Sequence, residues 1–343
     1  MAIETNNLIE IEDGSKTPKY RQIVESILSN LEVGTLDIGD KLPSINELLF
    51  EFDVSRDTAV KAYNCLKEMD ILESVPGKGF YIKDHPYKRR ARVMLIFNKL
   101  SAHKKIIYDA FVETLGDEAT IDFLIYNNNF QLFKTWVLEN KDKPYTHFVI
   151  IPHFKEHGWE APELLNMIPK RKLILLDKRV NGVTGEYAAV YQDFARDIYT
   201  ALSEAKDYLT KYSRLNLVFP TYSYHPKEIL DGFRDFCVEH NFDSHFVNDI
   251  SQEPISKGEV YINLMEDDLV VLIKRIKQLG LNVGKDIGII SYNETPLKEI
   301  LLDGITVIST DFKQLGETAA KMILEGEKKH IANPFRLLVR GSL

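Results

Sequence analysis

Leu42-Pro43-Ser44-Ile45-Asn46-Glu47-Leu48, followed by Phe52-Asp53-Val54-Ser55-Arg56-Asp57-Thr58-Ala59-Val60-Lys61-Ala62, has the form of two short helices joined by a tight turn. Ser44 and Ser55 each stand where a hydroxyl caps the free backbone N–H groups of the helix that follows. Two helices so joined outline a helix-turn-helix. In the second helix Ala59, Ala62, Leu66 and Met69 recur at three- and four-residue spacing, with Tyr63 beside them, and form the expected buried stripe. Arg56, Val60, Lys61, Asn64 and Lys67 then fall on the outer face. Arginine, lysine and hydroxyl groups at the start of a helix suit a DNA groove, where they meet guanine edges and phosphates. An ordinary amphipathic helix with a solvated charged face has the same pattern.

The residues that follow favour DNA. Ile71-Leu72-Glu73-Ser74-Val75, Pro76-Gly77-Lys78-Gly79 and Phe80-Tyr81-Ile82 predict two short strands about a glycine-rich turn with Lys78 at its tip, which is a wing. Upstream stand Pro18, Tyr20, Gln22 and Ile23, then Gly39-Asp40-Lys41-Leu42-Pro43-Ser44. This order of helix, turn, helix and wing resembles the GntR family of bacterial winged-helix transcription regulators. The resemblance implies that Ser55, Arg56 and Thr58 contact phosphates and bases, and that Gly77 approaches the minor groove. Ser44, Lys61 and Lys78 complete the expected DNA-binding set, together with Asn46, which stands where the family commonly has arginine. Val60 takes a second common arginine position, so Lys61 is the expected substitute.

The length of 343 residues predicts about two domains, and the formal net charge of −8 argues against nucleic-acid binding by the whole surface. Basic and acidic residues nearly balance over 15–92. Modest phosphate affinity per chain therefore predicts a homodimer on a double-stranded operator with two half-sites. Expected boundaries are a loose tail at 1–14, a winged domain at 15–84, a basic linker at 85–92 and an effector-binding domain at 93–343. Within the linker, Lys88-Arg89-Arg90-Ala91-Arg92 either tracks the DNA backbone or merely tethers. Cys65 and Cys237 lie in predicted helices of different domains, so both are expected as buried free thiols. The N-terminus has no basic region followed by an apolar one and no apolar run reaches a membrane span, so a cytoplasmic protein is expected.

From Val93 the pattern alternates. Strands are predicted at 93–97, 121–126, 148–151 and 173–176, with helices at 106–115 and 130–138 between them. The alternation restarts after a long helix at 194–212, with strands at 215–219, 244–247, 260–262 and 287–290, helices at 227–239 and 267–279, and an ending of strand 305–310, helix 315–324 and strand 336–342. Short apolar strands alternating with helices predict an α/β fold, here two successive parallel-sheet units with a cleft between them. Asp286-Ile287-Gly288-Ile289-Ile290-Ser291-Tyr292-Asn293-Glu294, Thr310-Asp311-Phe312 with Leu315-Gly316, and Val339-Arg340-Gly341-Ser342 resemble the effector domain of LacI-type repressors and the type I periplasmic sugar-binding proteins.

Ligands of open parallel sheets sit beyond the carboxyl ends of the strands. The loops there offer Asn98, Ser101, His103, His153, Asp177, Gln192, His225, Glu266 and Asn293 as hydrogen-bonding groups. Phe154, Tyr191, Tyr222 and Tyr224 are the expected flat faces for sugar C–H patches. By the resemblance, Asn293 matches the acid or amide that contacts sugar hydroxyls. Ile229, before Gly232-Phe233, stands where an arginine is often found. A small monosaccharide is the expected effector, and tyrosines with Phe154 suit a methyl-bearing deoxy sugar such as L-fucose.

No dinucleotide fingerprint, phosphate loop or nucleophile elbow is present, so no catalytic residue, cofactor or metal is expected. The expectation is a sugar-responsive transcription regulator, not an enzyme. The rivals are a transport-type sugar-binding protein and an α/β enzyme with an accessory winged helix.

Overall fold

The computed structural model describes residues 8–12, 14–15, 17–32, 35–83, 90–223 and 225–343, with the Glu32 side chain left aside. In chain order the elements are α1 (Lys19–Glu32), β1 (Lys41–Leu42), α2 (Ile45–Phe52), α3 (Arg56–Glu68), β2 (Leu72–Val75) and β3 (Gly79–Ile82). There follow β4 (Ala91–Phe97), α4 (Ala102–Leu115), β5 (Ala119–Ile125), α5 (Phe130–Asn140), β6 (His147–Ile150), α6 (Ala161–Met167), β7 (Leu173–Asp177) and β8 (Ala188–Tyr191). The chain continues with α7 (Phe194–Glu204), α8 (Lys206–Leu209), β9 (Arg214–Val218), α9 (Glu228–His240), β10 (Asp243–Val247), β11 (Glu259–Asn263) and α10 (Glu266–Gln278). It ends with β12 (Ile287–Tyr292), α11 (Pro296–Ile300), β13 (Thr306–Thr310), α12 (Phe312–Glu325), β14 (His330–Ala332) and β15 (Phe335–Leu338). Two compact units result. One takes the described residues up to Leu95 with Leu115–Leu124 and Leu138–Val149; the other takes Ile96–Thr114, Ile125–Val137 and Ile150–Leu343.

In the first unit, α1, α2 and α3 close over Ile23, Ile27, Leu48, Ala59, Ala62, Tyr63 and Leu66, all buried. The three short strands form an antiparallel sheet in the order β1-β3-β2, with Leu42 opposite Phe80 and Leu72 opposite Ile82. The wing turns where Lys78 N–H donates to the Val75 carbonyl at 3.0 Å, and Gly77 takes the positive φ of 73° that the turn requires. Met69 departs from the predicted stripe, being 46% exposed, because the helix ends at Glu68 and Met69 is its C-cap, one turn beyond the buried Leu66. Leu8 and Ile9 are buried in the same core, and the backbone of Glu10 and Glu12 is held by Ser26 and Gln22. Residues 8–12 are therefore not the loose tail expected; residues 1–7 and 13 of that tail, and 85–89 of the expected linker, lie outside the described residues. Cys65 is only half-buried, whereas Cys237 is buried.

The second unit contains the sheet β10-β9-β11-β12-β13-β15, parallel in every pair except β13 with the terminal β15. The other six-stranded sheet has the order β14-β8-β7-β6-β4-β5, in which β14 pairs parallel with β8 and β8 with β7. Strands β7, β11 and β12, largely apolar, are buried along their whole length, as strands covered on both faces must be. The chain passes from one sheet to the other after β8, back after β13, and once more between β14 and β15.

Two predicted elements are corrected. The single helix at 194–212 is two, α7 and α8, broken at Ala205. The terminal strand stops at Leu338 rather than running to 342, because the last residues bond side chain to backbone instead of joining the ladder. There the Ser342 hydroxyl donates to Ile289 O at 2.7 Å and accepts from Thr306 N. Gly232 sets the α7–α9 spacing, since a Cβ built on it would stand 2.0 Å from the Ala195 carbonyl oxygen. Strands β1, β8 and β14 and helices α6 and α11 were not predicted.

Candidate effector cavity and DNA-facing helix

Helix α2 begins with a reciprocal cap: Glu47 N donates to Ser44 Oγ at 3.2 Å and Ser44 N to Glu47 Oε2 at 2.6 Å. Those bonds from Ser44 hold the Glu47 carboxyl below its ordinary range. Helix α3 is capped by Ser55, whose Oγ accepts from Thr58 N at 3.2 Å and meets Thr58 Oγ1 at 2.8 Å. Its buried face is pinned by the Tyr63 hydroxyl, which donates to Pro43 O at 2.6 Å. Asn46, Ser55, Arg56 and Lys61 are exposed, as are Gly77 and Lys78 on the wing, while Ser44 and Thr58 are half-buried by their capping roles. The Lys61 ammonium sits 4.1 Å from the centre of the Tyr20 ring.

The second unit encloses a cavity of about 290 Å³. It lies at the carboxyl ends of β7, β8, β9, β11 and β12, and it includes the crevice between β9 and β11, where the strand order reverses. Its polar base is Asp177, the last residue of β7, held at a φ of 74°. Lys104 Nζ donates to Asp177 Oδ2 at 2.6 Å, His153 Nε2 lies 2.9 Å from the same oxygen, and Gln192 Nε2 donates to Oδ1. Burial pushes the Asp177 carboxyl up, but the Lys104 ammonium and the His153 ring outweigh it and hold the group well below the carboxylate range. Burial lowers His153 and His103, and it drives His225 down to about 4 with help from Lys99 and His153.

On the far wall Asn293 has a φ of 65°, and Lys298 Nζ, itself buried, donates to the carbonyls of Tyr292 (3.1 Å) and Asn293 (2.7 Å). Burial lowers Lys298 to about 8. His103 Nε2 lies 2.9 Å from Glu294 O, with its ring 4.7 Å from that of Phe312. Among the described residues of the lining, Asn98 Oδ1, Gln192 Oε1, Asn293 Oδ1 and Tyr292 Oη are buried without a hydrogen-bond partner.

Nine of the thirteen predicted ligand residues line this cavity: Asn98, Ser101, His103, His153, Asp177, Gln192, His225, Glu266 and Asn293. Three predicted flat faces do not. Phe154 packs instead against Tyr126, Phe130 and Phe133 at 5.0–5.3 Å. Tyr191 lies under the Arg179 guanidinium at 3.9 Å, and Tyr222 is 65% exposed with its hydroxyl on Asp268. Tyr224 lies outside the described residues. The rings that do line the cavity are Phe194, Phe312 and Tyr292. Sequence reasoning missed Lys104 and Phe194; Phe312 and Tyr292 were visible only as parts of the LacI-type motifs.

Residues 19–82 match bacterial regulatory proteins of the gntR family, and residues 211–343 match a periplasmic binding protein-like domain. The HTH-type transcriptional repressor YtrA of Bacillus subtilis is 30% identical over 106 residues, which are 31% of this chain and 78% of YtrA. The Mannosyl-D-glycerate transport/metabolism system repressor MngR of Escherichia coli is 37% identical over 97 residues, 28% of this chain and only 38% of MngR. The trehalose repressor from Escherichia coli superposes with a TM-score of 0.58 at 15% identity, over 73% of this chain and all of that one. A lac repressor dimer bound to operator and an anti-inducer gives 0.60 at 15% identity, over 74% and 94%.

The chain is thus a transcription regulator in which a winged helix-turn-helix precedes an α/β domain of the periplasmic-binding-protein type. It belongs to the gntR family of bacterial regulatory proteins. Among the described residues no helix is long and apolar enough to cross a membrane.

Proposed function

We propose that the chain is a cytoplasmic, homodimeric regulator of sugar use that represses from double-stranded operator DNA and responds to a small carbohydrate in the 290 Å³ cavity. The observation that carries this reading is the set of unpaired buried polar atoms that Asn98, Gln192, Tyr292 and Asn293 contribute to the cavity lining. Gln192 must turn its NH2 to the Asp177 carboxylate, so its oxygen is left as an acceptor facing the cavity. Asn98 likewise spends its NH2 on Asn128 Oδ1. Buried acceptors left without partners are costly, and a ligand rich in hydroxyl donors satisfies them. The names of MngR and of the trehalose repressor associate those proteins with sugars, which favours the same ligand class.

Operator contacts fall to Ser44, Asn46, Ser55, Arg56, Thr58, Lys61, Gly77 and Lys78. Ligand affinity that differs between two states of the α/β domain shifts the spacing of two α3 helices. Phe154 and Tyr222, the rings that favoured L-fucose, do not line the cavity, so L-fucose is one candidate among other monosaccharides and disaccharides. The test is a thermal-shift panel on the full chain with neutral sugars, followed by operator release measured by fluorescence anisotropy. A sugar that raises the melting temperature of the parent but not of Asn293→Ala, and changes operator affinity, is the expected result. A shift equal in both proteins refutes the cavity assignment.

A further inference from the structure

A second cavity, of about 340 Å³, opens beside the first at the carboxyl ends of β9 and β10. Its walls are Phe219, Leu230 and Phe246, and its polar lining includes Lys227, Arg234 and the hydroxyls of Thr221 and Ser223. Among the described residues no carboxylate belongs to its lining, although the chain has 51 acidic against 43 basic residues. The site is built on fixed parts. Phe219 N donates to Val247 O at 2.9 Å, tying the two loops together, and Phe246 stands on Phe233 of the core with ring centres 5.5 Å apart. The Arg234 guanidinium lies 5.6 Å from the Phe246 ring centre and gives one N–H to Asp231 at 3.2 Å, which leaves donors of its fork for another acceptor. Lys227 and Arg234 flanked by hydroxyls over apolar walls are the groups that recognise a phosphate ester on a small organic body. His225 lines this cavity and the first one alike.

We propose that this second cavity binds a small phosphate-bearing metabolite through Lys227 and Arg234, and that His225, as the shared wall, couples its occupancy to the first cavity. By linkage, whatever one ligand does to the affinity of the other is reciprocated.

The test is isothermal titration of the full chain, in buffer free of phosphate, with glucose 6-phosphate and fructose 1,6-bisphosphate against glucose and fructose as matched neutral probes. The phosphate esters should bind more tightly than their neutral partners. Their affinity should fall about tenfold or more in Lys227→Met/Arg234→Met and stay unchanged in Asn293→Ala. Lys227→Met alone, at an exposed position, serves if the double variant does not fold. Ester binding that survives the double variant, that disappears in Asn293→Ala, or that is absent at millimolar concentration overturns the proposal. Loss of neutral-sugar binding in Asn293→Ala bears on the first cavity only, so the two readings fail separately.

Discussion

Lys104 and Asp177 meet at 2.6 Å with side chains only 8% and 5% exposed, an ion pair sealed inside the second unit. Removing one partner leaves the other charged and buried, which costs far more than the pair itself contributes. Lys104→Met should therefore lower stability by roughly 3–5 kcal/mol, read from chemical denaturation. The double variant Lys104→Met/Asp177→Asn should recover part of that loss. A single variant as stable as the parent would remove Asp177 as the organising charge of the cavity.

Acid should weaken the fold in a window set by His225. An unfolded histidine takes its proton near pH 6.5, and the folded one only near about 4, because burial, Lys99 and His153 oppose the charge. Between those values the unfolded chain binds more protons, so stability falls as pH drops from about 6.5 to about 4, by up to about 3 kcal/mol. His153 is shifted the same way and adds to the slope. Asp177, with its lowered value, contributes stability above the ordinary carboxylate pKa that is lost only as pH falls well below it. Melting curves against pH should show the slope, and His225→Asn should flatten it.

Tyr292 offers a separate reading of the cavity. Its hydroxyl is buried without a partner. Tyr292→Phe should leave the free protein as stable or up to about 1 kcal/mol more so, yet shrink the melting-temperature shift produced by the effector. A full shift in the variant would mean that the ligand does not use this group.

On the DNA side, Arg56→Ala should weaken operator binding by roughly 1–3 kcal/mol in gel-shift titrations, with the fold unchanged. Ser44→Ala acts differently, removing the reciprocal cap of α2 and costing the winged domain about 0.5–2 kcal/mol of stability. If Arg56→Ala binds operator like the parent, α3 is not the reading helix.

Gly232→Ala tests the contact between α7 and α9. With the new methyl 2.0 Å from Ala195 O, the helices must part, and a loss of roughly 1–3 kcal/mol or more is expected in thermal or urea melts.

The sequence by itself determined the local parts. Ser44 and Ser55 declare two helix starts because capping involves residues three apart, and the apolar runs of β7, β11 and β12 declare covered parallel strands because every side chain in them is buried. Strand-end loops were legible for the same reason, and most of the hydrogen-bonding cavity residues lie in them. Which way each loop residue turns was decided only by tertiary structure. His153 and Phe154 are neighbours, yet His153 reaches Asp177 while Phe154 joins Tyr126, Phe130 and Phe133, partners that come from other elements. Lys104 stands outside the helix predicted at 106–115, and nothing near it in the sequence marks it as buried. It is buried because Asp177, 73 residues later in the chain, arrives at hydrogen-bonding distance, and no local pattern encodes a partner that far away.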